Sequence, residues 1–162
     1  MQAHNNIEEN VLVLSVDGEA RAVTARFHGA ITAGDFQRAR ERITKQRGWE
    51  PGYAQIFDFT DVTALNLTTA EIRAAALTAP ADEHAAQFIV AKPCSISLGL
   101  ARMIQAFAAG RRVVHVVDSP ELALHAIRVG ASPPQVIHHR AKRSFGGHAR
   151  WGRQAANRKR RR

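Results

Sequence analysis

The fold is decided by the stretch Tyr53-Ala-Gln-Ile-Phe-Asp-Phe-Thr-Asp-Val-Thr-Ala-Leu-Asn-Leu-Thr-Thr69. Its first six residues are mostly apolar, which is typical of a short buried strand. A loop rich in Thr and Asp is predicted from Asp58 to Thr69. Within it, Thr68 and Glu71 have the spacing of a capping box, in which a hydroxyl and a carboxyl satisfy the first N–H groups of a helix. The stretch therefore predicts a strand, a loop and a helix over roughly residues 69–79.

The alternation of strands and helices continues on both sides of this stretch. Asp17-Gly18 is a strong hairpin signal, Gly29 is expected to end the second strand, and Thr32 with Asp35 to cap the first helix. Helices of ten or more residues between strands favour parallel pairing. The chain is therefore predicted to be an α/β protein with a mixed, mostly parallel sheet of about five strands and about four helices. The further predicted elements are strands at 11–16 and 21–27, a helix at 33–46, a strand at 88–91, a helix at 97–109, a strand at 112–117 and a helix between Ser119 and Gly130.

Charge divides the chain into two parts. The 162 residues carry 23 Lys and Arg against 14 Asp and Glu, a formal net charge of +9. Residues 1–130 hold 13 of the basic side chains and all 14 acidic ones, whereas residues 131–162 hold 10 basic side chains and no acidic one. The second part also has few aliphatic residues, so it cannot bury enough apolar surface to offset its ordering entropy. We predict a folded domain over 1–130 and a disordered basic tail over 131–162.

The composition argues against secreted, membrane-spanning and metal-binding classes. Cys94 is the one cysteine, which rules out a disulfide within the chain and a four-cysteine zinc site. No apolar run reaches the ~18–20 residues that span a bilayer, and the first ten residues are polar, unlike a signal sequence. No nucleophile and base accompany the carboxylates of Asp58, Asp61 and Glu71, which we expect in a solvated loop. The expectation is a cytoplasmic protein that is not an enzyme and that uses no metal or cofactor.

The order of the elements and the residues from Asp58 to Thr69 resemble the STAS domain of the sporulation anti-sigma-factor antagonists. In that family, a strand ends in an Asp-Leu-Ser-type step, and a short loop leads to Asp-Ser-Ser-Gly at a helix N-terminus, where the second Ser is phosphorylated. The matching residues here are Asp58-Phe59-Thr60 and then Asn66-Leu67-Thr68-Thr69. The stretch Ser97-Leu-Gly-Leu-Ala-Arg-Met103 is similar to a bacterial subfamily of STAS-like proteins, most of which lack an assigned partner. The resemblance covers roughly residues 5–130.

The resemblance implies a non-enzymatic regulatory module that docks a protein partner, such as a regulatory kinase or an anti-sigma factor. Thr68 falls on the phosphorylated position, and Asn66, Leu67 and Thr69 replace the family's Asp, first Ser and Gly. A helix N-terminus is also where orphan N–H groups and the helix dipole favour a phosphate. A capping box that needs no phosphate is the simpler interpretation of the same residues. The candidates for phosphorylation or partner docking are Thr68, Thr69, Asn66, Asp58 and Glu71.

A small-ligand carrier is the alternative function for the predicted domain. STAS domains resemble CRAL-TRIO lipid-transfer domains in topology, and this likeness implies binding of a lipid or a nucleotide. The apolar helix at 97–109 could line such a site, although a helix this apolar is also typical of a protein core. Arg102 and the pair Arg111-Arg112 flank this helix. They either bind an anionic ligand or partner, or form a solvated face.

The basic tail suggests a third function. Its arginines can neutralise phosphates and its aromatic residues can stack on unpaired bases, so the tail is expected to associate with nucleic acid or another polyanion. The opposite interpretation is a tail that only aids solubility. The sequence leaves the partner and the oligomeric state open. The candidate polyanion-binding residues are Arg140, Lys142, Arg143, Arg150, Trp151, Arg153, Arg158, Lys159 and Arg160.

Overall fold

The computed structural model describes residues 11–78 and 84–130 of the chain. Within them the chain forms five strands and four helices, as the sequence predicts. The predicted tail at 131–162 lies outside the described residues. The elements are β1 (Leu12–Asp17), β2 (Ala22–Thr32), α1 (Ala33–Thr44), β3 (Ala54–Asn66), α2 (Thr69–Leu77), β4 (Gln87–Val90), α3 (Ile96–Ala108), β5 (Val114–Val117) and α4 (Pro120–Val129).

The strands form one sheet with the order β1-β2-β3-β4-β5. β1 and β2 make an antiparallel hairpin, and each later pair of neighbours is parallel. The prediction of a mixed, mostly parallel sheet that begins with a hairpin is therefore confirmed. Because successive parallel strands lie side by side and their crossovers share one hand, α1, α2 and α3 fall on one face of the sheet.

Two apolar layers cover the two faces of the sheet, because successive side chains of a strand point to opposite faces. On one face, Val23, Phe27 and Phe59 pack with buried residues of α1, α2 and α3. On the other face, Ile56 and Phe88 pack against α4. β3 is thus covered on both sides, which explains why its first residues are mostly apolar.

Two strand ends differ from the prediction. β2 continues past Gly29 to Thr32, and β3 continues past Asp58 to Asn66. The two strands pair along this length, with Thr32 opposite Asn66 at the far end. Gly29 has a φ of +68° and lies at one of two shifts in the register of the pair. The glycine therefore allows an irregularity within the strand and does not end it, and most of the loop predicted from Asp58 is strand.

The helix caps agree with the prediction. Asp35 Oδ2 accepts hydrogen bonds from the backbone N–H and the hydroxyl of Thr32, both at 2.7 Å. Ser119 Oγ accepts one from the N–H of Leu122 at 3.3 Å, and Gly130 ends α4 with a φ of +62°. These local hydrogen bonds place the helices within a residue or two of their predicted bounds.

α3 is the helix that the sequence marks as almost wholly apolar. It has 13 residues and buries Leu100, Ala101 and Ile104 in the layer shared with α1 and α2. No helix within residues 11–78 and 84–130 is long and apolar enough to cross a bilayer. Most apolar side chains of α3 therefore belong to the core of the protein, whereas Ile96 at its start is 48% exposed.

Phe27 offers a test of the larger apolar layer. Its side chain is fully buried, and its ring centroid lies 5.0 Å from that of Phe59 and 5.6 Å from that of Phe36. Phe27→Ala should lower the free energy of unfolding by about 3–5 kcal/mol, because it leaves a cavity. Urea denaturation followed by circular dichroism measures this loss.

The control for Phe27 is Val13→Ala, since Val13 is 53% exposed on the neighbouring strand. This variant should change the free energy of unfolding by less than about 0.5 kcal/mol. Equal stability of the two variants would contradict the packing described for Phe27.

Candidate functional site

Thr68 lies at the N-terminal end of α2, just after β3 ends. Its backbone N–H and its hydroxyl both donate to Glu71 Oε2, at 2.7 and 2.8 Å. In return, the N–H of Glu71 donates to Thr68 Oγ1 at 3.2 Å. The predicted capping box is therefore confirmed, and both of its residues are exposed at the protein surface.

The hydrogen bonds of the capping box also favour the ionised form of the Glu71 carboxyl. The backbone N–H of Thr68, followed by its hydroxyl, lowers the pKa of the Glu71 carboxyl, so this carboxyl is ionised at neutral pH. Thr68 Oγ1 therefore lies 2.8 Å from an oxygen of a carboxylate. A phosphoryl group on Oγ1 would remove the hydroxyl proton that binds this carboxylate and would repel it. Phosphorylation of Thr68 would thus open the capping box and displace the Glu71 side chain.

The structure separates Asp58 from the other four predicted site residues. Asp58 is 1% exposed and lies within β3. Its Oδ1 accepts a hydrogen bond from the N–H of Thr60 at 2.9 Å. The expectation that Asp58 lies in a solvated loop is wrong, because β3 continues through this residue and its neighbours cover it. The four exposed residues around the start of α2 are Asn66, Thr68, Thr69 and Glu71.

Asp58 belongs to a cluster of charged side chains that sequence reasoning missed. Arg26 on β2 lies 3.5 Å from Asp58 and 2.7 Å from Asp61, measured between nitrogen and carboxylate oxygen. His28 Nδ1 and Lys92 Nζ lie 3.4 and 3.8 Å from the Asp61 carboxylate. We call Arg26, His28, Asp58, Asp61 and Lys92 the β2–β3 charge cluster. The signal that reveals it is the register, which sets Arg26 opposite Asp58 and His28 opposite Asp61.

The β2–β3 charge cluster ties strands together. Each of its two carboxylates has the Arg26 guanidinium within salt-bridge distance, so these ion pairs join β3 to β2. Within the described part of the chain, no group of three or more His, Cys, Asp or Glu side chains is arranged to hold a metal ion.

Five residues of α2 are exposed, and two of them, Glu71 and Arg73, are charged. Ala70, Arg73 and Ala74 are spaced three and four residues apart, so they share one side of the helix. The Arg73 guanidinium lies over the ring of Phe107 on α3, 5.9 Å from the ring centroid. We call Ala70, Arg73, Ala74 and Phe107 the α2 face. It presents two small apolar side chains beside an arginine that lies over an aromatic ring.

A small cavity lies between the sheet and the helices α1, α2 and α3. Its volume is about 40 Å³. Since one water needs roughly 10–15 Å³, the cavity has room for about three waters and is too small for a lipid or a nucleotide. Ile104 of the apolar helix α3 lies in its wall. The lining residues are Phe36, Arg40, Phe57, Phe59, Ala75, Thr78, Gln87, Ile89, Ile104 and Arg112.

Comparison with models of protein families, with curated proteins and with solved structures finds no match to this chain. The residues predicted to bind polyanions, from Arg140 to Arg160, lie outside the described residues. The assignment of a function therefore depends on this chain's own sequence and on the contacts of residues 11–78 and 84–130.

Thr68→Ala should weaken the start of α2. The variant removes the hydroxyl that donates to Glu71 and accepts from its N–H, and loss of such a cap lowers the free energy of unfolding by about 1 kcal/mol. The matched control is Thr69→Ala, whose residue follows Thr68 and takes no part in the capping box. Its effect should stay within about 0.5 kcal/mol. Urea denaturation of both variants makes the comparison, and equal losses would show that the box does not stabilise α2.

Glu71 gives the capping box a dependence on pH. Its pKa in the folded state lies below the ordinary value of ~4.3. The box therefore contributes its full stabilisation above that ordinary value and loses it as the pH falls through the lowered value. An NMR titration of the Glu71 carboxyl carbon measures the midpoint. In Thr68→Ala, which lacks the hydroxyl donor, the midpoint should rise toward the ordinary value, and an unchanged midpoint would assign the shift to other groups.

Proposed function

We propose that this protein is a non-enzymatic regulatory module that docks a protein partner through the N-terminal turn of α2 and the α2 face. The single observation that carries the proposal is the exposed α2 face, where Ala70 and Ala74 lie beside Arg73 and next to the capping box of Thr68 and Glu71. Side chains such as Ala70 and Ala74 lose little conformational entropy when a partner covers them. Glu71 and Arg73 are the charged side chains of α2 at this surface, so a partner would pair with them or leave them at the polar rim of the contact.

The position of Thr68 also favours this surface as the docking site. The resemblance to the STAS domain puts the phosphorylated hydroxyl of that family at Thr68, and Thr68 is the exposed N-cap of α2. Asn66, Leu67 and Thr69 differ from the family's motif, so we expect a kinase or anti-sigma factor that reads different neighbours. The proposed partner is a protein that presents a small apolar patch beside hydrogen-bonding groups.

Phosphorylation of Thr68 is the proposed switch of this surface. A phosphate adds about −1.5 to −2 charge and three acceptor oxygens. It would lie beside the first N–H groups of α2, where negative charge is favoured, and it would remove the hydroxyl that binds the Glu71 carboxylate. Glu71 would then turn outward, and the surface would change from a closed hydrogen-bonded turn to one with two separate acidic groups.

The arrangement of the acids supports a role without catalysis. Asp58 is buried beside Arg26, and Asp61 has Arg26, His28 and Lys92 around it. These acids are held in ion pairs between strands, which supports a structural role for them. We propose a cytoplasmic location on the strength of the single cysteine, because disulfide-rich chains are typical of oxidising compartments.

The test is a pull-down from native cell extract with the full-length chain, the chain truncated after Gly130 and two full-length variants. Ala74→Glu places a charge on the α2 face, and Val129→Glu makes the same addition on α4, where Val129 is 56% exposed. Both full-length wild type and the truncated chain should capture the same partner after nuclease treatment. Ala74→Glu should lower its capture at least about tenfold, which corresponds to 1.4 kcal/mol, and Val129→Glu should leave it unchanged.

The controls decide between the folded residues and the tail. A thermal melt first shows that each protein is folded. Capture by the full-length chain alone, abolished by nuclease, would contradict the proposal and assign the function to polyanion binding by residues 131–162. The proposed switch is tested by comparing two variants in the same pull-down. Thr68→Glu should lower capture of the partner, and the control Thr69→Glu should not.

A further inference from the structure

β1 lies at one edge of the sheet, where β2 is its one neighbour among the described strands. In an antiparallel pair, residues that exchange hydrogen bonds with the partner strand alternate with residues whose N–H and C=O groups point away from it. The N–H of His28 donates to the carbonyl oxygen of Val11 at 2.9 Å, and the register of β1 with β2 continues from this pair. Every second residue from Val11 onward therefore bonds to β2. The outward backbone groups belong to Leu12, Leu14 and Val16, and we call them the β1 edge.

Two hydrogen bonds outside the β1–β2 pair agree with this alternation. Arg42 Nη1 of α1 donates to the carbonyl oxygen of Leu12 at 3.4 Å, as expected if this oxygen points away from β2. Just before β2, the carbonyl oxygen of Arg21 accepts from the N–H of Ala54 in β3 at 2.9 Å. The odd-numbered residues of β2 therefore face β3 where the two strands begin to pair, which leaves the even-numbered ones to face β1. Beyond Leu12, the β1 edge is without a partner strand among the described residues.

The opposite edge of the sheet is shorter. β5 has four residues, whereas β1 has six. Gln105 Nε2 of α3 donates to the carbonyl oxygen of Val114 in β5 at 2.8 Å, so a side chain already occupies the start of that edge. A row of unpaired backbone groups is a template for pairing with another strand. Within the described residues, β1 offers the longer template.

Cations of α1 lie beside the β1 edge. Arg38, Arg42 and Lys45 are spaced four and three residues apart, so they share one side of the helix. Arg42 reaches the edge itself at Leu12. Arg38 is paired with Asp35, whereas Arg42 and Lys45 are exposed and have no acidic partner among the described residues. The β1 edge therefore carries positive charge on the side of the sheet that α1 covers.

This charge selects the strand that fits the β1 edge. Residues 38–47 include five basic side chains and one acidic side chain, Glu41, which accepts a hydrogen bond from Gln37. A second copy of the chain would bring the same cations to both sides of the new strand pair, where like charges repel. An extended segment with acidic side chains would instead be attracted by Arg42 and Lys45.

We propose that the β1 edge binds an extended, acidic segment of a partner protein as an additional antiparallel strand. The segment would exchange backbone hydrogen bonds with Leu14 and Val16, which supply affinity in this mode of recognition. Its acids, at every second position, would lie on the side of the sheet that α1 covers and meet Arg42 and Lys45. Its other side chains would lie beside Val13, which is 53% exposed on the opposite face. The inference does not depend on the docking proposed for α2.

The first measurement is amide hydrogen exchange, followed by NMR, on the full-length ¹⁵N-labelled protein. Without a ligand, the N–H groups of Leu14 and Val16 should exchange at least about tenfold faster than those of Val13 and Ser15, which bond to β2. Slow exchange at Leu14 and Val16 would show that the β1 edge is already covered, by a second copy or by another segment of the chain. That result would overturn the proposal.

The probe is the peptide acetyl-Glu-Thr-Glu-Val-Glu-Thr-amide, whose acids alternate with uncharged side chains. The matched control peptide has Gln in place of each Glu. The acidic peptide should slow exchange at Leu14 and Val16 in a saturable manner and leave Val13 unchanged, and the Gln peptide should bind at least about tenfold more weakly. Equal binding of the two peptides, or exchange at Leu14 and Val16 that the acidic peptide does not slow, would overturn the proposal.

Two charge reversals place the peptide on the protein. Lys45→Glu should weaken binding of the acidic peptide at least about tenfold, because it replaces an attraction with a repulsion. Arg111→Glu makes the same change of charge at an exposed residue between α3 and β5, near the opposite edge of the sheet, and should leave binding unchanged. A thermal melt shows that both variants are folded. Equal weakening by the two variants would show a general charge effect and overturn the site at β1.

Discussion

The parallel register between β2 and β3 is the constraint on which the rest of the molecule depends. It sets Arg26 opposite Asp58 and His28 opposite Asp61, so that the acids of β3 meet cations of β2. It also leaves Phe57 and Phe59 on the face that α1, α2 and α3 cover, where they line the cavity. A slip of one residue would exchange the two faces of the strand. Asp58 would then enter the apolar layer, and Phe59 would leave it.

Contacts between residues close together in the sequence could be predicted. Contacts between residues far apart in the sequence could not. The caps at Thr32, Thr68 and Ser119 each join residues three apart, so the sequence shows both partners at once. By contrast, Arg26 and Asp61 are 35 residues apart, and Arg112 and Ala76 are 36 apart. Gly29 misled the prediction of a strand end because a glycine's freedom at positive φ serves a turn and a bulge equally well. The fold class followed from local patterns, whereas the burial of Asp58 and the cavity needed the pairing of strands.

Charge is balanced differently at two places in the described residues. In the β2–β3 charge cluster, two carboxylates lie among Arg26, His28 and Lys92, and the groups satisfy one another. At the end of α2, Arg112 instead donates to the backbone carbonyl oxygens of Ala76 and Thr78. The first arrangement pairs charges between strands. The second uses a cation to satisfy the carbonyl groups at a helix end, and its Nε is buried without an acceptor among the described residues.

α2 has nine residues, and a helix so short is not stable alone in water. It is held by the capping box at one end and by Arg112 at the other, roughly 13 Å apart at 1.5 Å per residue. Because helix formation is cooperative, loosening either end loosens the whole helix. Ile72 and Ala76 also pack α2 into the core between these two ends. The capping box and Arg112 consequently stabilise the same cooperative unit, so a substitution at either end should lower the stability of the whole helix.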